Sequence, residues 1–343
     1  MRNFTFIIVV ILLFPFFGNN YWFLEYFLNS KGQIPEKTQG FILGINGHPL
    51  SQAAYKEFPV AEQMQLLKSM KMTYYRFDGG TDYKGQLKDE PRFAGLTREA
   101  KKHTIKLLPV LWLRGLDTMK TEPAAYERGF IEGSGFASRY GDHFDYYELG
   151  NEQDLKVLKQ RSLSGKETTD YKIDKTKILA SFFRGMHHGI KKADTGSKTI
   201  IDMTEGHYGF FKLLKQYNVQ FDVIGIHWYS KVDFASSKLP RIINETAEVF
   251  NGEKPVWITE FNSQFGSYGG REDFQELIVS QFVEQSRFIQ GVEALFIYEL
   301  LDEPRLIHPK ETEKTFGIVK WITPHTKWEY KKAGKSLRDT ELR

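Results

Sequence analysis

Two strand-like runs each deliver a glutamate near their ends: FDYYELGNE at Phe144–Glu152 and PVWITEFN at Pro255–Asn262. A facing pair of carboxyl groups is the equipment for breaking a glycosidic bond. One group, protonated, assists the leaving oxygen, and the other, ionised and about 5 Å away, attacks the anomeric carbon. Glu152 and Glu260 lie 108 positions apart, so the intervening chain must bring them back to one place. About three strand-plus-helix units fit in that interval.

Runs enriched in Val, Ile and aromatic residues recur at Phe41–Asn46, Thr73–Asp78, Ile105–Leu113, Phe144–Glu152, Thr199–Gly206, Val223–Ser230, Val256–Asn262 and Val292–Leu300. They predict eight strands. Helical apolar spacing appears between them, at Val60–Met70, Lys175–Lys192, Arg241–Phe250 and Phe274–Ile289, and again at Trp328–Leu337. Strands alternating with helices require parallel pairing, and eight repeats over roughly 300 residues predict an α/β fold of the (β/α)8 TIM-barrel type. No glycine-rich phosphate loop follows the first strand, which counts against a dinucleotide-binding sheet. One domain over residues 40–343 is expected. Its active face lies at the C-terminal strand ends, with Asn151-Glu152 closing the fourth strand and Glu260 the seventh.

Together with His227-Trp228-Tyr229 closing the sixth strand, these residues resemble the retaining glycoside hydrolases of clan A, nearest to the family 39 and family 5 type of catalytic core. The resemblance covers essentially everything after about residue 40. It implies Glu152 as acid/base, Glu260 as nucleophile and Asn151 as the hydrogen-bond partner of the sugar 2-hydroxyl, an interaction that strengthens in the transition state. A nucleophilic carboxylate needs stabilising as an anion. Arg76, ending the second strand in YYRFD, is the expected cation, with Glu148 as its alternative partner because Glu148 shares strand parity with Glu152. Tyr229 is placed to donate to Glu260, and His227 either sets the protonation of Glu152 or is a structural histidine. Glu205, Glu299, Asp302 and Glu303 also fall near strand ends without the Asn-Glu signature.

Sugar rings pack their C–H faces on aromatic rings, which makes Trp112, Trp228 and Tyr298 candidate platforms. Aromatic residues form 15% of the chain, so each competes with a plain core role. The eighth strand reads Phe296-Ile297-Tyr298-Glu299 where the resembled families commonly end in tryptophan. After strand four, Asp154–Ile173 carries Lys156, Lys159, Arg161, Lys166 and Lys172 against three acids, which is either a basic rim for an acidic polysaccharide or a solvated face. The long connection Asp302–Lys327, with its apolar run Phe316–Ile322, is expected to shape a groove.

Residues 1–39 read as an export segment and tether. Arg2 precedes Phe4–Phe17, fourteen residues apolar except for Thr5, which resembles a secretory signal. Phe16-Phe17-Gly18 is a poor cleavage site and Tyr21–Leu28 adds apolar residues, so membrane attachment through an uncleaved anchor is the alternative to secretion or release into a periplasm. Zero cysteines exclude disulfides and thiolate metal sites. A net charge of +4 is too small to imply nucleic acid, and no metal or cofactor is expected. Asn244-Glu245-Thr246 is a glycosylation acceptor only in a glycosylating host. The expected activity is retaining hydrolysis of a β-linked poly- or oligosaccharide. Transglycosylation by the same two glutamates is one alternative, and a non-catalytic glycan-binding part of an envelope polysaccharide assembly is the other.

Overall fold

The computed structural model describes residues 37–230, 238–307, 310–322 and 327–340. Eight strands, β1 (Ile42–Gly47), β2 (Tyr74–Asp78), β3 (Lys106–Leu111), β4 (Tyr146–Leu149), β5 (Lys198–Thr204), β6 (Val223–Ser230), β7 (Val256–Ser263) and β8 (Val292–Ile297), pair in sequence order. The circle closes where β1 pairs in parallel with β8, Gly44 opposite Phe296. The helices are α1 (Ala53–Glu57), α2 (Val60–Ser69), α3 (Glu90–His103), α4 (Glu122–Tyr140), α5 (Gln153–Val157), α6 (Ile173–Ala193), α7 (Tyr208–Gln216), α8 (Lys238–Val249), α9 (Glu272–Ser286) and α10 (Lys332–Asp339). The (β/α)8 barrel predicted from the alternation is therefore present.

Strand parity divides the barrel into two cores and a polar layer. Outward residues such as Tyr75, Phe77, Leu107, Ile201, Ile226 and Ile258 join the helices in the large core. Inward residues Tyr74, Leu108, Ile200, Val223, Trp257, Ala294 and Phe296 plug the barrel at its base. Buried side chains of this size each stabilise by about 1.5–3 kcal/mol. Two positions further along, the same inward parity delivers polar groups: Arg76 after Tyr74, Glu148 after Tyr146, Asp202 after Ile200. The plug keeps water out from below, and the polar layer opens toward the C-terminal strand ends. On the outside, α4 and α6 touch through glycine: a Cβ at Gly129 would stand 2.1 Å from the Phe182 carbonyl, and one at Gly185 2.0 Å from that of Tyr126.

Several boundaries differ from the sequence expectation, β8 for one ending at Ile297 rather than Leu300, and two of the differences change the element a named residue belongs to. Trp328 does not begin a helix: Lys327–Tyr330 forms strand β10, antiparallel to β9 (Val319–Ile322), and only then does α10 start. KWEY alternates with period two, which places Trp328 against Trp321 at 4.2 Å between ring centroids. Strand β4 ends at Leu149, so Asn151 and Glu152 lie in the turn beyond it. The expected export segment falls almost entirely outside the described residues. Among the described residues no helix is long and apolar enough to cross a membrane.

Candidate active site

Arg76 is the hub. It is 4% exposed, and its five N–H donors are all engaged. Nε and Nη2 grip Glu148 at 2.5 and 3.1 Å. Nη1 reaches Glu260 Oε1 at 2.8 Å and Asn46 Oδ1 at 2.6 Å, and Nη2 reaches Asn151 Oδ1 at 2.9 Å. The two partners that the sequence left as alternatives are both bound. Asn46 in turn donates to the carbonyls of Thr259 and Ile297, tying the hub to strands β7 and β8. Burial of Glu148 alone would raise its pKa, but the Arg76 charge and the hydrogen bonds from His227 and Arg76 outweigh it and hold the carboxyl at about 2.

A local irregularity turns Glu260 inward. Trp257 faces the barrel interior and Ile258 the helices, so strict alternation would send Glu260 outward. Between Ile226↔Ile258 and His227↔Glu260 the register slips by one residue. The bulge at Thr259 restores the inward direction for Glu260, and Phe261 beyond it stacks on Phe282 of α9 at 4.0 Å. Tyr229 Oη then donates to Glu260 Oε2 at 2.6 Å, as its strand-six position suggested.

Glu152 approaches from the opposite wall. It caps α5 with φ at +48°, and its backbone N–H donates to Asp202 Oδ1 at 2.6 Å. His227, fully buried, stands between the two glutamates: Nδ1 lies 3.1 Å from Glu152 Oε1 and 3.5 Å from Glu260 Oε2. One oxygen of each glutamate and that nitrogen are all within 4.8 Å of one another. Burial would strip the imidazole of its proton, but the surrounding carboxylates, Glu260 and Asp202 foremost, raise its pKa well above the usual value. Glu152 is the mirror case, since burial pushes its carboxyl up and the His227 hydrogen bond and charge bring it below the ordinary range. Glu152 is also the more open of the pair, its side chain 30% exposed against 7% for Glu260.

The cavity over these groups holds about 600 Å³ and is lined also by Trp112, Tyr298, Arg161, Glu205, Gln264 and Phe316. Trp112, 38% exposed, presents a ring to it. Tyr298 forms a wall with Tyr229 and Phe316. Trp228 is a correction: it is buried in the outer core, because His227 and Tyr229 face the barrel interior and the residue between them must face the helices. Of the basic side chains after β4, Arg161 lines the cavity and Lys156, Lys159, Lys166 and Lys172 do not. The connection after β8 does shape the cleft, through Leu306, Lys310, Thr312, Glu313 and Phe316.

Sequence reasoning missed His48 and Asp78, which also line the cavity. His48 Nδ1 is 3.2 Å from Asp78 and Nε2 3.4 Å from Glu299. Its burial is outweighed by these acids, which push it up to about 9. Glu299 is buried behind the wall and accepts from Tyr55 at 2.7 Å. Glu303 caps the Ala54 N–H and Asp302 binds Lys331, both structural contacts. The Glu148–Asp202–His227 group has metal-type donors within 4.8 Å of one another, as has Glu152–His227–Glu260. In both, the Arg76 guanidinium supplies the cation that the carboxylates face.

A family model described as the glycosyl hydrolase catalytic core matches residues 196–298, the stretch that carries His227, Tyr229, Glu260 and Tyr298. Among solved structures, the chain is similar to a family 39 glycoside hydrolase from the gut symbiont Bacteroides cellulosilyticus WH2, with TM-score 0.63 and 15% identity over 89% of this chain. It spans 64% of that protein's length. A beta-glucosidase from Thermotoga maritima in complex with noeuromycin aligns with TM-score 0.65 and 11% identity, covering 89% of this chain and 98% of the other. Virulence factor SghA from Agrobacterium tumefaciens aligns with TM-score 0.59 and 12% identity over 87% and 96% of the two chains. No curated protein matches in sequence. At these identities the structural likeness is one of fold, the closed (β/α)8 barrel described above.

Proposed function

We propose that the protein is a retaining glycoside hydrolase acting on a β-linked poly- or oligosaccharide, with Glu260 as nucleophile and Glu152 as acid/base. The carrying observation is the gap between the two carboxylates. One oxygen of each carboxyl lies within 4.8 Å of one of the other, which suits the separation of about 5–5.5 Å used for double displacement better than the about 6.5–9.5 Å across which an inverting enzyme holds a water. Glu260 is anchored at both oxygens, by Arg76 and Tyr229, as befits a nucleophile that must attack in one orientation. Glu152 sits nearer solvent, where a leaving group departs and water enters.

In the first step Glu260 forms a bond to the anomeric carbon as the glycosidic C–O bond breaks, and Glu152 gives its proton to the departing oxygen. Water then attacks the same carbon, loses a proton to Glu152, and Glu260 leaves. The hydrogen bond from His227 to Glu152 explains where the first proton is stored. The carboxylates around His227 raise its affinity for a proton, and its Nδ1 lies 3.1 Å from Glu152 Oε1, so a proton resting on that contact is within one transfer of either atom. Asn151, fixed by Arg76, meets the sugar 2-hydroxyl. The hydrophobic run at Phe4–Phe17 supports export of this enzyme to where polysaccharide lies. Proton NMR of the first-formed product, using a panel of defined β-glycans, tests the mechanism. Retention of anomeric configuration is expected, together with loss of about four orders of magnitude in kcat for a folded Glu260→Gln variant. Inverted product, or near-normal turnover in that variant, would remove the assignment.

A further inference from the structure

We infer that Asp202 is a positioning residue for the acid/base: its Oδ1 holds the Glu152 peptide in the turn that aims the Glu152 carboxyl at His227 and the cleft. The inference rests on the role proposed above for Glu152. Its first ground is backbone geometry. A glutamate at φ +48° occupies the left-handed region, which is unfavourable for a non-glycine residue and persists only where the surroundings fix it. Helix α5 behind it has five residues, too short to hold the turn alone. What fixes it is a set of three contacts: Glu152 N–H to Asp202 Oδ1 at 2.6 Å, Arg76 to the Asn151 side chain at 2.9 Å, and Gln153 Nε2 to the Asn151 carbonyl at 2.8 Å.

The second ground is that the barrel makes room for this carboxyl. Asp202 is 2% exposed on β5, opposite Gly225 of β6, where a Cβ would come within 2.9 Å of the Asp202 Cβ. The same Oδ1 lies 3.9 Å from His227 Nε2, while Nδ1 of that ring meets the Glu152 carboxylate. One buried oxygen thus touches the acid's backbone and backs the imidazole that touches its side chain. Burial drives the Asp202 carboxyl well above its usual pKa, against the pull of His227. The contact that matters is the one from the Glu152 N–H to Oδ1; asparagine keeps an accepting Oδ1 at that place, so asparagine should substitute and alanine should not.

The experiment compares Asp202→Asn and Asp202→Ala with the intact protein on phenyl and 2,4-dinitrophenyl β-D-glucosides and β-D-xylosides, alongside carboxyl-13C NMR titration of Glu152. Asn should stay within about threefold of wild type on both leaving groups. Ala should lose about 10²-fold in kcat/KM on the phenyl glycosides, which need a well-placed proton, and less than about threefold on the dinitrophenyl ones, which do not. In the titration, Ala should let the Glu152 carboxyl climb toward the ordinary range as it swings away from His227, and Asn should not. Should Ala fail to fold, Asp202→Ser, too short to reach the N–H, is expected to show the same selective loss. Equal loss on both leaving groups, an Asn variant as damaged as Ala, or an unmoved Glu152 titration would overturn the inference. Absence of all turnover in the wild type, with the titration moving as described, would instead remove the glycosidase reading and leave the positioning role standing.

Discussion

Replacing Arg76 by methionine should invert the pH dependence of one part of the folding energy. In the native protein Glu148 is held at about 2 against an ordinary 4.5. Its depressed pKa contributes stability that is fully present above pH 4.5 and lost as pH falls toward 2, about 3 kcal/mol by linkage. Methionine keeps the apolar stem and removes the guanidinium. Glu148, with no exposed surface, then faces only His227 at 3.7 Å, and burial pushes its carboxyl up instead of down. The variant should therefore be least handicapped near pH 4, where Glu148 can take a proton, and most handicapped at pH 7, by about 3–5 kcal/mol, the usual cost of unpairing one member of a buried ion pair. At about 2–4 °C per kcal/mol for a domain of this order of size, calorimetry should record a Tm lower by roughly 10 °C at pH 7 and by less than half of that at pH 4.5. Activity should fall too, by about 10²-fold or more, because Glu260 and Asn151 lose their common anchor. A Tm deficit that is the same at both pH values would refute the reasoning, since it would mean that Glu148 does not change its proton affinity when Arg76 goes.

Glu152→Ala should keep turnover within about tenfold on dinitrophenyl glycosides while losing about 10³-fold on substrates with poor leaving groups, and azide should accelerate the second step by replacing water at the vacated wall; equal losses across leaving groups would count against the acid/base role. The two tryptophans of opposite fate provide a third comparison. Trp112→Ala should raise KM on oligosaccharides several-fold with Tm within about 2 °C, whereas Trp228→Ala should cost about 3–5 kcal/mol of stability as a core cavity and leave KM alone once folded. Steady-state kinetics and thermal melts on the pair separate platform from packing, and a KM change confined to Trp228→Ala would reverse the assignment.

The barrel was legible because its signals are local and repeated. Each strand is a short β-branched or aromatic run, each helix an apolar stripe, and eight such alternations leave few topologies open. The convergence of Asn151-Glu152 and Glu260 was legible because they sit near strand ends that this topology brings to one face. The misreadings share a different cause. Trp228 looked like a cleft residue because it lies between two cleft residues, and only strand parity sends it outward. Lys327–Tyr330 alternates with period two inside a stretch whose apolar spacing passes for a helix, although only four residues separate it from its antiparallel partner Val319–Ile322. His48 and Asp78 carry no motif, and they reach the cavity from loop and strand positions that composition does not distinguish from solvated ones.

The bulge at Thr259 shows how a residue that faces the cleft can be reached by an incomplete argument. Counting alternate positions from Trp257, which fills the barrel base, places Thr259 inside and Glu260 among the helices. A glutamate there would be buried where Phe261 now stacks on Phe282, an apolar surrounding that costs an unpaired carboxylate several kcal/mol. The one-residue slip against β6 moves Glu260 beneath Arg76 and Tyr229 and gives the outward position to Phe261, an apolar ring that belongs there. The same slip brings His227 alongside Glu260 in the ladder, and so within reach of both glutamates at once. The carboxylate gap is thus set by three irregular features acting together: the bulge on β7, the left-handed turn at Glu152, and the Asp202 oxygen that holds that turn. None of the three is visible in the periodicity of the chain, and each lies within one residue of a group that would touch the sugar or beneath it. Departure from regular geometry marks this site more sharply than the residue types do, because regular strands alone would have pointed one of the two glutamates away from the cleft.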